Sequence, residues 1–447
     1  MNDLLFLRPP FQSEIPNSWK FSEVKYLYDI LLGKMLQPEP RRADDREVPY
    51  LRAANVQWDG VHLDDLQTMY ASDEEINSSQ VMEGDLLVCE GGEVGRAAIL
   101  KGEIPPDTII QNALHRVRGK NGNNVGFLRY MLQHIASKGW FDVICNRATI
   151  AHFTGEKFGE LRIAYPEPAM QAAIADYLDR ETAKLDSTIS AKHSLLNLLA
   201  EKRRALISQA VTKGLDSSVK MKDSGIPWLG EIPSHWSMVT LRRLITSLDQ
   251  GWSPVASNQP ANINEFGVLK LSAVKSGRLI YEENKALAFD ADIPTELIIR
   301  EGDILLTRAN TPKLVGDVAI AKSDHNNLIF SDLIYRLRVC LDKVEPEWLI
   351  LVLQSDIGRG QIEAEAKGSS NSMVKLAQNQ VLGLLITNPP KAEQKIIIDF
   401  VQAEIYKLTN LISSTELTIN LLQERRITLI SELVTGQLSV ENCHAHS

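Results

Sequence analysis

The sequence predicts an α+β protein, with two mixed α/β domains separated by two long antiparallel coiled-coil helices in an internal pseudo-twofold repeat. Three observations carry that expectation. Short motifs occur twice, about 220 residues apart. Each copy holds a series of strand-length runs rich in Val, Ile and Leu, bounded by Gly, Asn, Asp and Pro. Beyond a pair of prolines in each copy, the apolar residues fall alternately three and four apart, as in a heptad seam.

The repeat is read directly. Glu14-Ile15-Pro16-Asn17-Ser18-Trp19 returns as Glu231-Ile232-Pro233-Ser234-His235-Trp236, and Glu83-Gly84-Asp85-Leu86-Leu87 as Glu301-Gly302-Asp303-Ile304-Leu305. Glu201-Lys202-Arg203 and Leu206-Ile207-Ser208 return as Glu424-Arg425-Arg426 and Leu429-Ile430-Ser431, with Val211-Thr212 and Val434-Thr435 following. Solenoid repeats run at roughly 20 to 50 residues, so this period marks the duplication of a whole structural unit. The copies agree at their edges and diverge in their middles, which suits one scaffold carrying two different recognition surfaces.

In chain order, residues 1–168 form the first domain. Strands are expected at Asp85 to Cys89, Ala97 to Leu100 and Leu114 to Val117, and a helix from Val125 to His134. Pro166 and Pro168 end this domain, and residues 169–214 form a helix with the seam Leu178, Leu185, Ile189, Leu196, Leu199, Leu206 and Ala210. Residues 215–230, marked by Ser217-Ser218, Gly225, Pro227 and Gly230, are a linker. The second domain, 231–390, repeats the plan with strands at Val268 to Leu271, Asp303 to Thr307 and Ile334 to Val339, and a helix at Glu347 to Ser355. Pro389 and Pro390 precede the second helix, 391–437, with its seam at Ile398, Val401, Ile405, Leu408, Ile412, Ile419, Leu422, Leu429 and Leu433; residues 438–447 are a tail. Gly214 and Gly436 stand where helices commonly end.

Each seam is broken at equivalent places, by Lys192 and Arg203 in the first helix and by Thr415 and Arg426 in the second. Two readings stay open: these are stems that snorkel out of an apolar interface, or they fix register and partner contact. Two seams in one chain most simply pair with each other. Antiparallel pairing would put the domains that precede the helices at opposite ends of a rod.

Composition narrows the function. Hydrophobic residues make up 44% and charged residues 23% of the 447, as in ordinary globular proteins. No apolar run approaches the 18 or so residues of a membrane span and no basic region opens the chain, so a cytoplasmic protein without membrane association is expected. Cys89, Cys145, Cys340 and Cys443 are far apart and read as reduced thiols. The tail Cys443-His444-Ala445-His446 has metal-binding residue types but no second shell to fix them, so no metal is expected. Lys plus Arg total 48 against 57 Asp plus Glu, a net charge of −9. Bulk positive charge is thereby excluded as a means of holding nucleic acid, which leaves local basic patches or a partner's contacts.

The stretch Met221-Lys222-Asp223-Ser224-Gly225-Ile226-Pro227-Trp228-Leu229-Gly230-Glu231-Ile232-Pro233, continuing to His235-Trp236, resembles the central region of the specificity subunits of type I restriction-modification systems. So do the Gly-Asp-Leu-Leu strand, the prolines before each helix and the Glu-Lys-Arg helical segment. The resemblance implies two target recognition domains, each reading half of a bipartite, asymmetric site on double-stranded DNA from the major groove. It implies helices that space these domains and dock two methyltransferase subunits, with restriction and translocase subunits as further partners. The chain itself would be non-catalytic and without cofactor, S-adenosylmethionine, ATP and Mg²⁺ belonging to the partner subunits. An orphan or modification-only specificity subunit and a coiled-coil scaffold that does not bind DNA are the alternatives. The family's Arg after the Asp-Ile-Leu strand is present as Arg308, whereas the first copy has Glu90; the turn Gly368-Ser369-Ser370 faces Arg147-Ala148-Thr149 in the first copy.

The motifs that could carry catalysis fail on their own chemistry. Asn388-Pro389-Pro390-Lys391 lacks the aromatic residue that stacks on a flipped adenine, and it aligns with Tyr165-Pro166-Glu167-Pro168 at a helix start. Gly91-Gly92-Glu93-Val94-Gly95 lacks the spacing of a phosphate loop. Glu283-Asn284-Lys285 has no acidic partner motif of a nuclease. Candidates for DNA contact are Glu90, Arg96, Arg116, Arg118 and Arg147 in the first copy, with Gln111 as an adenine reader. In the second copy they are Lys275, Arg308, Lys313, Arg336, Arg338, Lys367, Asn371 and Lys375. Arg116 and Arg336 match in position, which suits backbone positioning. Divergent positions suit base readout, Glu90 as an acceptor from cytosine N4.

Overall fold

The computed structural model describes residues 15–145, 152–288, 292–370 and 373–443. They fold as two compact units, one of residues 1–192 with 417–447 and the other of residues 193–416. Each long helix therefore contributes its two ends to different units.

In the first unit the main sheet and its frame are built from β1 (Lys20–Glu23), β2 (Tyr28–Leu32), β3 (Leu86–Cys89), β4 (Ala97–Ile99) and β5 (Leu114–Gly119), followed by α1 (Val125–Ser137), β6 (Arg162–Tyr165) and α2 (Pro168–Lys213), beside a smaller sheet of Arg46–Leu51, Gln67–Ala71 and Ile109–Ile110. An antiparallel sheet has the order β2-β5-β3-β4, and β1 pairs antiparallel with β6. All four residues of β3 are buried, as expected of an unbroken apolar run covered on both faces. Asn124 caps α1 by accepting from Phe127 N at 3.0 Å. Phe127, Leu128, Met131 and Ile135 of α1 share one core with Leu86, Val88 and Val117 of the sheet, and with Ile174, Leu178, Ile430, Leu433 and Val434 of the long helices.

The second unit repeats this plan with β7 (Ser237–Thr240), β8 (Ile245–Gln250), β9 (Ile304–Thr307), β10 (Val318–Ile320), β11 (Ile334–Val339), α3 (Pro346–Gln354), β12 (Leu385–Asn388) and α4 (Lys391–Val434). Its sheet runs β8-β11-β9-β10, extended by the hairpin Val274–Lys275 and Gly277–Leu279, and β7 pairs antiparallel with β12. Arg116 lies opposite Leu87 and Arg336 opposite Leu305, so the two sheets share register as well as strand order. The expected strand from Val268 stops at Leu269. There the chain turns into the 3₁₀ segment Leu271–Ala273, where Lys270 N donates to Glu283 O.

α2 and α4 are 46 and 44 residues long, about 1.5 Å per residue along each axis. Within the first unit they run antiparallel: Asp186, later in α2 than Ile174 and Leu178, meets Arg426, earlier in α4 than Ile430 and Leu433. Within the second unit, Ile207, Ala210 and Val211 share a core with Ile397, Ile398 and Val401. α4 stops at Val434, short of the expected 437, because Thr435 and Gly436 close it, Gly436 in the left-handed region at φ 74°.

The ends of the helices are fastened by matched contacts. A Cβ on Gly436 would come within 3.1 Å of the Trp19 ring, and one on Gly214 (φ 71°) within 3.3 Å of Trp236. Gln171, in the first turn of α2, accepts from Asn124 N at 2.9 Å and donates to Pro166 O at 2.9 Å. Gln394, in the first turn of α4, accepts from Glu345 N at 2.9 Å and donates to Pro389 O at 3.0 Å. Both glutamines are fully buried, so each satisfies the otherwise orphaned N-terminal amide of the neighbouring short helix.

Candidate nucleic-acid interface

One pair of matched positions in the two domains carries opposite charges. β3 and β9 each end at a residue fixed by two backbone hydrogen bonds. In the first domain Glu90 N donates to Ala113 O at 2.9 Å, and Phe153 N donates to Glu90 O at 2.8 Å. In the second, Arg308 N donates to Leu333 O at 2.8 Å, and Leu376 N donates to Arg308 O at 2.9 Å. The backbone frame is the same and the side chain differs.

Around Glu90, His152 Nδ1 lies 3.9 Å from Oε1 and His115 Nε2 lies 4.0 Å from Oε2. His115 is fully buried and is linked through Nε2 to Phe153 O at 2.8 Å; burial pushes its pKa down, against the smaller raising effects of that bond and of Glu90. Around Arg308, Nη1 reaches Asp332 O at 3.4 Å and the guanidinium stands 5.7 Å from the Tyr335 ring centroid. Ser253 Oγ donates to Asp332 Oδ1, and Gln250 donates to the Asp332 carbonyl at 3.3 Å. Nε of Arg308 has no hydrogen-bond partner among the described residues. A carboxylate here accepts hydrogen bonds, as from cytosine N4, whereas a guanidinium donates, as to guanine O6 and N7.

Each domain also holds a second matched pair. Asp85 accepts from Met82 N at 2.8 Å and from Arg118 Nη2 at 2.8 Å; Asp303 accepts from Arg300 N and Arg338 Nε, both at 2.9 Å. Both carboxylates are almost fully buried, so Arg118 and Arg338 are anchored inward at one end and partly exposed at the other. Arg116 and Arg336 lie inside the domains. Arg116 donates to the Ser78 carbonyl at 3.0 Å, and Arg336 donates to Asp249 at 3.0 and 2.7 Å. Arg96 is held by Glu93 at 3.0 Å and by Ala53 O at 3.0 Å.

The remaining candidates spread over the second domain. Lys275 sits in the hairpin before Ser276, Lys313 in the turn that follows Arg308, and Lys375 is exposed on strand Met373–Lys375, opposite Lys367 in register. Gln111 is half-buried, its backbone N–H donating to Leu51 O at 2.9 Å. Arg147 and Asn371 lie outside the described residues. On the helices, Lys192 and Arg203 are half-buried, Thr415 donates to Leu411 O at 2.7 Å, and Arg426 Nε meets Asp186 at 2.8 Å. His152, Ser253 and Asp332 are absent from the sequence candidates. The usable signal was adjacency: His152 immediately precedes the residue that pairs with Glu90.

α4 also presents large apolar side chains away from its seam. In the second unit's part, Ile396, Phe400, Tyr406 and Leu411 are exposed; in the first unit's part, Leu417, Leu421 and Ile427 are. Among the described residues of α2, only Leu198 is comparable. No helix is long and apolar enough to cross a membrane, and no group of metal-ligating side chains is found among the described residues.

Comparison with known proteins agrees with this architecture. Residues 16–197 match the model of the type I restriction modification DNA specificity domain. The chain is 27% identical to the type I restriction enzyme EcoEI specificity subunit of Escherichia coli over 221 residues, 49% of this chain and 37% of that one. It is 21% identical to the StySPI specificity subunit of Salmonella potsdam over 393 residues, 87% of this chain and 82% of that one. In fold it is similar to a chain solved in work on complex assembly and conformational transition of the type I R-M system, at a TM-score of 0.70 and 13% identity, covering 95% of this chain and all of the other. The HsdS subunit from Thermoanaerobacter tengcongensis gives a TM-score of 0.54 at 13% identity, with 95% and 98% covered.

Proposed function

We propose that this chain, whose residues 16–197 match the type I restriction modification DNA specificity domain, is a specificity subunit that directs methylation and restriction to a bipartite, asymmetric sequence on double-stranded DNA. Each domain reads one half of that sequence. The observation that carries this reading is the pairing of Glu90 with Arg308, two side chains of opposite hydrogen-bonding character on one backbone frame. A shared frame fixes how the domain sits on the duplex; a divergent side chain sets which base it accepts. Replacing Arg308 by alanine in the assembled methyltransferase is expected to relax discrimination at one base of one half-site, by about 1–3 kcal/mol if the contact is bidentate. Methylation of a randomised target library reads this. A uniform loss across all sequences would make Arg308 a phosphate contact.

Catalysis belongs to partners in this reading. Two methyltransferase subunits would carry S-adenosylmethionine, and restriction and translocase subunits would use ATP and Mg²⁺. The exposed apolar side chains of α4 support helix-mediated docking of the methyltransferase subunits, since such residues on a soluble helix mark a protein interface. Leu417→Glu with Leu421→Glu is expected to leave the fold intact, both side chains being more than half exposed (59% and 56%), and to abolish co-purification with the methyltransferase subunit. Undiminished co-purification would place docking elsewhere.

A further inference from the structure

The two long helices carry an arginine at matching seam positions, and only one has a carboxylate. Arg426 is 2.8 Å from Asp186. The position corresponding to Asp186 in the other copy is Thr409, whose hydroxyl donates to Ile405 O at 2.8 Å within its own helix. Arg203 therefore has no hydrogen-bond or ion-pair partner among the described residues. It is half-buried, and burial followed by the like charge of Arg278 lowers its pKa. A guanidinium partly removed from water without an anion is a liability unless one arrives from outside.

Its surroundings provide room for that anion. Arg203 and Arg204 line a groove of about 700 Å³ together with Ser276, Lys313, Asp317 and Arg359. The carboxylates at the groove already have donors. Asp317 accepts from Ser276 N at 3.1 and 3.0 Å and from Val318 N at 2.9 Å; Asp356 accepts from Ser208 Oγ at 2.9 Å; Glu363 is 3.4 Å from Arg359. Of the cations that line the groove, Arg203, Arg204 and Lys313 form no hydrogen bond or ion pair with a carboxylate among the described residues, and Lys275, in the adjoining hairpin, acts on Asp317. Arg203, Arg204, Lys313 and Arg359 thus outnumber Asp317, Asp356 and Glu363 along the groove, in a chain of net charge −9. The groove also adjoins the candidate reader: Arg308 and Lys313 belong to one turn, closed by Thr307 Oγ1 donating to Leu314 O at 2.9 Å.

We propose that this groove is a phosphate track, which holds the backbone of duplex DNA beside the bases read by the second domain. The proposal rests on the DNA-recognition reading. One acidic side chain of a protein partner would need a single arginine; cations contributed by α2, by the turn of Lys313 and by the helix Asp356–Glu365 along an open groove match a row of phosphates instead. Phosphate contacts of this kind position the protein and carry no sequence information.

The test uses the full chain assembled with its methyltransferase subunits, and duplex DNA of random sequence. Arg203→Ala with Lys313→Ala is expected to weaken binding and to make the log–log salt dependence shallower by about two. Between 50 and 200 mM salt the variant should then lose about tenfold less affinity than the parent complex. Arg203→Lys with Lys313→Arg should restore the slope, and the preferred methylation sequence should be the same throughout. An unchanged slope in the alanine variant, with normal binding by the parent, would overturn the track alone. Loss of methyltransferase subunits from the variant at unchanged slope would assign the groove to an acidic protein segment and overturn it too. Failure of the parent complex to bind any DNA would overturn the recognition reading itself.

Discussion

Replacing Arg336 by alanine is expected to destabilise the second unit by about 3–5 kcal/mol, the cost of removing one partner from a buried ion pair. The side chain is 2% exposed, donates to Asp249 at 3.0 and 2.7 Å and to Ile298 O at 3.3 Å, and lies 3.6 Å from Asp303. Its loss leaves Asp249 without its cation and opens space against Phe330, whose ring centroid is 5.1 Å from the guanidinium. Asp303 keeps Arg338, which limits the damage. Arg116, at the matching place in the first unit, donates to the carbonyls of Ser78 and Gln80 and forms no ion pair with a carboxylate among the described residues, so its replacement should cost about 1–3 kcal/mol. Urea unfolding of the two variants reads the difference. A fully stable Arg336→Ala chain with altered target preference would instead mean that Arg336 reaches the DNA.

Trp236→Ala is expected to cost about 3–5 kcal/mol, through a cavity at the junction of the second domain with the end of α2. Trp236 is fully buried, packs edge-on to Trp348 at 5.7 Å between centroids, and donates to Glu393 at 3.1 Å. Removing the ring uncouples three elements at once. Trp228, a few residues earlier in the chain and 53% exposed, is the control, and its replacement should stay within about 0.5 kcal/mol. Equal midpoints for the two variants in thermal unfolding would contradict this account of the junction.

The long helices and the duplicated plan were legible because heptad spacing and repeated edge motifs are local in sequence. Ile398, Val401, Leu408 and Ile419 are buried as the seam requires, and the polar seam position Thr415 is buried with its hydroxyl turned back onto its own helix. Among the strands of the two sheets, β3, β4, β5, β9 and β11, each a short apolar run, match the expected runs to within a residue or two, whereas β2, β8 and β10 were not among them. Gln171 and Gln394 were missed. A glutamine in a first helical turn is unremarkable until the repeat is aligned, and its hydrogen bonds go to a helix far away in sequence. The candidate site was legible only by residue type. Arg116 and Arg308 look alike in one dimension; which of them is turned into a core depends on strand register and on acceptors such as Ser78 O, which no local pattern encodes. The absence of a carboxylate opposite Arg203 required both helices and their pairing.

The central claim, that two domains on matched frames read independently, is tested most directly by exchanging residues 20–160 for the equivalent region of one of the type I specificity subunits that this chain resembles. The hybrid is co-expressed with the methyltransferase subunit, and methylated adenines are mapped across a whole genome by single-molecule sequencing. The expected result is a target in which one half-site changes to that of the donor, while the other half-site stays as it was. A hybrid that methylates with both halves altered, or with neither, would contradict independent reading.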